Sequence, residues 1–263
     1  QSVHAQDTPK WADKAKKAVF SIVTYDKENK IKNTGNGFYI DNNGTALSDY
    51  SLFEDAERAV IINADGKELP VTRIAGANSM YDVIKFRTET EKKITALKVA
   101  TQPAAVGETV YLLPYSTQKA ATCQTGKVTQ VDTIADKAYY YTLTMTTSDK
   151  TVSCPIMNAN GEVLGLIQKS ASEEDKESYA IGASYGESLS ISPLSANDIN
   201  LNKIGIAKAL PETEDQALVY LYMSSSQMDA KNYLATLNDF LQAYPNSTEG
   251  YTRRAGYYMN IGD

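Results

Sequence analysis

Residues 35–53 read GNGFYIDNNGTALSDYSLF, two strand-length runs hinged on a tight turn. Residues 41–44 (DNNG) supply the turn, because Asp and Asn bond their own backbone and Gly takes positive φ without steric cost. Residues 35–40 enter it as one strand and residues 45–52 leave it as the next. The neighbourhood supplies more strands: 18–25 (AVFSIVTY) before, then 59–62, 69–74 and 83–86 (VIKF) after, with the turn Ala64, Asp65, Gly66 between two of them. Past a mixed-charge stretch at 88–98 the theme repeats at 109–113, 122–131, 139–146, 162–168 and 179–182. Short β-branched and aromatic runs at close spacing, punctuated by Gly and Asn, predict an all-β barrel or sandwich. Two consecutive sets of short strands, six and then five, fit a mainly β double six-stranded barrel, a pattern that sandwiches share.

From about residue 192 the composition changes. Pro193 and Pro211 bracket a segment, 191–211, expected as a short helix plus linker. Residues 212–224, 229–244 and 248–260 then carry apolar side chains at helical spacing. In the middle one Tyr233, Leu237, Phe240, Leu241 and Tyr244 share a face. A β-rich segment followed by an α-helical one predicts two domains: 15–190, with barrels at about 18–98 and 104–190, and a small all-α segment at 212–263. Residues 11–17 (WADKAKK) suit a helical turn, and 1–14 read as a polar, disordered leader.

Composition excludes some classes of function. A net charge of −6 gives nucleic-acid binding no electrostatic support. No apolar run approaches the roughly 18–20 residues of a membrane span. The polar opening QSVHAQDTPK reads as a mature terminus after signal-peptide removal, so export to a periplasmic or extracellular space is expected. Cys123 and Cys154 are too few for a zinc cluster, so no metal and no cofactor are expected. They form either a disulfide, in an oxidising compartment, or two buried free thiols.

Three separated motifs resemble the HtrA branch of trypsin-like serine proteases. That family's opening pattern, G-S-G-F-I-I-D-x-x-G-x-I-L-T-N-x-H-V-V, is matched without a gap by Gly35, Gly37, Phe38, Ile40, Asp41, Gly44 and Leu47. Residues 80–86 (MYDVIKF) resemble D-L-A-V-L-K-V. Residues 150–166 (KTVSCPIMNANGEVLGL) resemble G-N-S-G-G-P-L-x-N-x-x-G-x-V-x-G-I through Pro155, Asn158, Gly161, Val163 and Gly165. The resemblance covers roughly residues 15–190 and implies the trypsin-like double barrel. It also sets Ser51 under the catalytic histidine, Met80 under the aspartate, with Asp82 two residues on, and Val152 under the nucleophile, with Ser153 one residue along. The single histidine of the chain is His4, in the leader. A serine nucleophile needs a base oriented by a third group, so the resemblance implies a protease frame without its triad. Cys154 as nucleophile lacks the same base. A Ser–Lys mechanism drawing on Ser148, Lys150 and Ser153 is the competing enzymatic reading. The resemblance further implies that Cys123 and Cys154 lie in neighbouring regions, where a bridge would pin the remnant loop.

The tail resembles tetratricopeptide repeats. Residues 238–247 (NDFLQAYPNS) fit the end of one repeat, and 248–263 fit the first helix of the next, with Tyr251 at the aromatic position, Ala255 at the small one and Gly262 at the turn. The register breaks midway through a repeat of ~34 residues, so the native protein is expected to continue past Asp263. The expected role is a protein- or peptide-binding scaffold, with partners at the helices and at the inter-barrel cleft. A purely structural β-domain presenting the repeats is the remaining alternative.

Overall fold

The computed structural model describes residues 8–90, 92–135, 138–170 and 175–262. Period-two burial builds the first barrel. In β1 (Val19–Tyr25), Phe20, Ile22 and Thr24 point inward while Ser21, Val23 and Tyr25 are half-buried. β2 (Ile31–Tyr39), β3 (Thr45–Ser48), β4 (Arg58–Ile62), β5 (Glu68–Asn78) and β6 (Val83–Thr88) complete it. The antiparallel order is β1-β2-β3-β6-β5-β4, closed where β4 pairs back onto β1. The turn at 41–44 forms as its residues require: Asp41 Oδ1 accepts the N–H groups of Asn43 and Thr45, and Gly44 takes φ +93°. Phe20, Tyr39, Phe53 and Phe86 fill the barrel with edge-on and tilted ring contacts. Each such burial is worth roughly 1.5–3 kcal/mol. Beyond Ser48 the expected strand stops short, and residues 50–53 instead turn into α2 (Tyr50–Phe53).

The second barrel uses β7 (Thr109–Leu112), β8 (Gln124–Ala135), β9 (Ala138–Leu143), β10 (Pro155–Met157), β11 (Val163–Ile167) and β12 (Ser178–Gly182), in the order β10-β11-β12-β9-β8-β7 with β10 closing on β7. β10 has no signature of its own in the sequence. It has three residues, all buried, too few to show a period. The stretch expected as leader packs from Trp11 onward. Trp11 Nε1 donates to the Ala159 carbonyl at 2.9 Å and its ring meets Tyr111 edge-on, ahead of α1 (Ala12–Ala15).

Of the two outcomes left open for Cys123 and Cys154, the structure has the free thiols, with Cys154 buried and Cys123 half-buried, and no bridge is made. The register gives the reason. Leu112 pairs with Gln124 on one side and Ile156 on the other, which sets the two cysteines on either side of the chain continuing from β7. Strands two apart lie ~9–10 Å from each other, beyond the ~7 Å that a disulfide spans between Cα atoms.

After α3 (Ala183–Ser188) the segment expected as a linker is folded onto the first barrel. It contains a 3-10 turn (Pro193–Asn197) and α4 (Ile199–Asn202), and Ile191, Ala196, Leu201, Ile204, Ile206 and Ala209 join the core of that barrel. Lys208 is buried there with Nζ donating to the carbonyls of Ile204 and Ile206, and desolvation pulls its pKa down to about 8. Three helices follow: α5 (Glu214–Ser224), α6 (Ala230–Ala243) and α7 (Thr248–Ile261). Thr213, Asp229 and Ser247 cap their N-termini with side-chain oxygens. α6 buries Leu237, Phe240 and Leu241 of its apolar stripe, and Gly250 lets α7 approach Phe240 and Leu241 closely. Tyr220 of α5 reaches the first-barrel core, and Arg73 of β5 grips Asp239 of α6 with two hydrogen bonds of 2.6 and 2.9 Å.

Candidate functional site

Three segments from the two barrels meet at their seam. From the first barrel come residues 48–51, leading from β3 into α2, and the turn between β5 and β6. From the second comes the loop between β9 and β10. Ser51 stands exposed on the first turn of α2. Its backbone N–H donates to Asp82 Oδ1 at 2.7 Å and its hydroxyl donates to Oδ2 at 3.0 Å. Asp82, at φ +51°, is turned back toward α2 by this left-handed backbone. Met80, two residues earlier, points into solvent, so Asp82 rather than Met80 partners Ser51. The loop anchor at this corner is Asn78, whose Oδ1 accepts the Tyr81 N–H.

On the other side of the seam Val152 is half-buried and Ser153 fully buried, with φ +66°. Positive φ on a residue with a β-carbon costs of order 1–3 kcal/mol, so the surroundings must hold it. Asn36 on β2 does much of the holding: its Nδ2 donates to the carbonyls of Lys150 and Val152 at 3.0 and 2.9 Å, while its own carbonyl accepts from Ser48 Oγ at 2.6 Å. The loop's amides are turned to internal acceptors. Thr151 and Val152 donate to the Ser148 carbonyl, Cys154 to the Thr151 carbonyl, and Ser153 to the Ile167 carbonyl at 2.9 Å. Ser148 and Lys150 are exposed on the outside of the loop. Burial pushes the Cys154 thiol up to about 12, which keeps it protonated, and Cys123 is pushed up to about 11.

Asp49 and Asn36 had no place in the expectations drawn from the sequence. The Asp49 carboxyl is completely buried against Ser153. Desolvation, reinforced by the nearby Asp82 carboxylate, holds its pKa well above the usual carboxylate range, against a weak opposing contribution from the Ser153 hydroxyl. That contact is loose: neither Asp49 Oδ1 nor Ser153 Oγ has a hydrogen-bond partner of good geometry. The signal for both residues lay in departures from the motif: Asn36 where the pattern has Ser, and Asp49 where it has Asn.

His4 lies outside the described residues, which therefore contain no imidazole. Among the described residues no three His, Cys, Asp or Glu side chains gather as metal ligands, and no helix is long and apolar enough to cross a membrane. A cavity of about 490 Å³ lies between residues 55–57, the 202–208 segment and the start of α6. Asp49, Ser51, Asp82 and Ser153 do not line it.

Two closed six-stranded antiparallel barrels with this seam between them define a trypsin-like fold. A family model described as the trypsin-like peptidase domain matches residues 35–166, half of the chain, and the chain belongs to that family. No curated protein matches the chain.

Proposed function

We propose that this trypsin-like domain does not cleave peptides and serves instead as a protein- or peptide-binding scaffold outside the cytoplasm. The observation that carries this reading is Ser51. Both of its hydrogen-bonding contacts go to Asp82, where a peptidase needs a base able to take a proton from the nucleophile. A serine hydroxyl cannot act as that base at neutral pH. The remnant nucleophile loop points the same way: the amides of residues 151–154 donate internally, whereas oxyanion stabilisation needs amides free to meet developing charge. Ser153 has no solvent exposure. Lys150 is exposed, and a lysine becomes a base through burial, so the Ser–Lys alternative gains no support. The three helices, whose sequence resembles tetratricopeptide repeats, fit a scaffold role.

The test is labelling by a fluorophosphonate probe together with casein cleavage, run beside a Ser153→Ala variant. No labelling and no turnover are expected. Labelling that disappears in Ser153→Ala would overturn the reading and require a base other than histidine.

A further inference from the structure

We propose that the rim of this seam docks a partner segment in which a lysine or arginine side chain is flanked by apolar residues, the cation seated over Ser51 against Asp82. The inference rests on the non-cleaving reading and names the chemistry of its partner.

Charge is the first argument. Asp82 is only partly buried, receives its hydrogen bonds from Ser51, and has no cation within ion-pair distance among the described residues. Behind it Asp49, 3% exposed, has an Oδ1 without a hydrogen-bond partner and, with ionisation disfavoured by burial, adds polarity rather than charge. Around the adjacent Tyr50, Glu54, Asp198, Asp55 and Asp82 add to the effect of burial in pushing the phenol up to about 12. Lys203 offsets part of this field by bonding Glu54 at 3.0 Å, while Asp82 receives only the hydrogen bonds from Ser51. Ser51 itself is exposed, so the Asp82 carboxylate behind it faces solvent at the rim.

Apolar surface is the second, independent argument. Met80, Leu194 and Ile199 are 81%, 77% and 73% exposed. Met80 sits in the turn that carries Asp82, and Ile199 opens α4. A hydrogen bond of 2.9 Å between Asn200 Nδ2 and Ser79 Oγ joins the two segments, while Leu194 lies in the 3-10 turn just before α4. Single exposed apolar side chains are ordinary, but Met80 and Ile199, on segments joined side by side by this bond, make a paired apolar edge. Carboxylates between apolar side chains complement a cation between apolar side chains, and complementarity of this kind selects one partner and rejects others of like charge.

The test is a calorimetric titration of the whole chain with two capped hexapeptides, Leu-Arg-Leu-Leu-Arg-Leu and Leu-Glu-Leu-Leu-Glu-Leu. The arginine peptide is expected to bind and the glutamate peptide not to. Asp82→Asn should weaken binding by about tenfold, which corresponds to ~1.4 kcal/mol. Met80→Ser combined with Ile199→Ser, both at exposed positions that leave the fold intact, should weaken it as well. Ser51→Lys should block it by placing a cation on Asp82 from within. Equal binding of both peptides, unchanged affinity in the Met80/Ile199 double variant, or no binding of the arginine peptide at millimolar concentration would overturn the proposal. Mass spectrometry of the titrated peptide separates the two readings. A peptide bound but cut sinks the non-cleaving reading and keeps the docking site, whereas no binding together with no probe labelling does the reverse.

Discussion

Asp49 is a carboxylic acid held where a carboxylate is disfavoured, by burial and by the neighbouring charge of Asp82. Its native pKa stands above the unfolded value of 3.8, so the folded chain keeps a proton that the unfolded chain gives up. Stability from this residue is therefore full below about pH 4, falls as pH rises between the two values, and is lost once pH passes the native pKa. The slope approaches about 1.4 kcal/mol per pH unit for one proton. Asp49→Asn, which keeps the shape without the acid, should remove this decline and be more stable than the parent at pH 7. Urea unfolding at pH 4, 5.5 and 7 checks it. Parallel stability curves for the two proteins would mean that Asp49 ionises without cost.

The 148–154 loop is held by its own backbone bonds and, from outside, by Asn36, a β2 side chain on the opposite barrel. Asn36→Ala removes two hydrogen bonds and strands two carbonyls, at a cost of roughly 1–3 kcal/mol. Amide exchange at Thr151 to Cys154 should accelerate at least about tenfold, while exchange in β8 and β9 stays slow. Uniform acceleration across the barrel would mean that the loop has no separate opening. Most strands were legible because alternation and Asn–Gly turns are local signals. β10 was not, since three buried residues have no period, and neither was the shift from strand to helix at Tyr50. At the site, the fall of Ser51 at the histidine position of the resembled motif could be read directly from the sequence. The exchange of Met80 for Asp82 could not, because it depends on a left-handed turn whose effect appears only when α2 is in place. The unmade cysteine pair shows the same limit: nearness in a fold does not tell which strands intervene.

Across the whole molecule, one core holds the second barrel together with α1 and Val19, Phe38, Leu47 and Val83 of the first barrel, and the other joins the first barrel to the 191–209 segment and Tyr220. Trp11, the single tryptophan, reports on the second barrel, and circular dichroism at the helical band reports on α5 to α7. With the cores sharing barrel strands, the two signals should fall together on heating, as expected for one cooperative unit. A helical signal lost well before the tryptophan signal would make the helices an independent unit. The docked 191–209 segment also acts as a bracket rather than a tether. A flexible connection lets two binding surfaces search for each other over a range of spacings, and its effective concentration changes smoothly with length. On the proposed scaffold reading, a ligand that engaged both the seam and the helices would gain avidity only when its own spacing matched the one this docked segment sets.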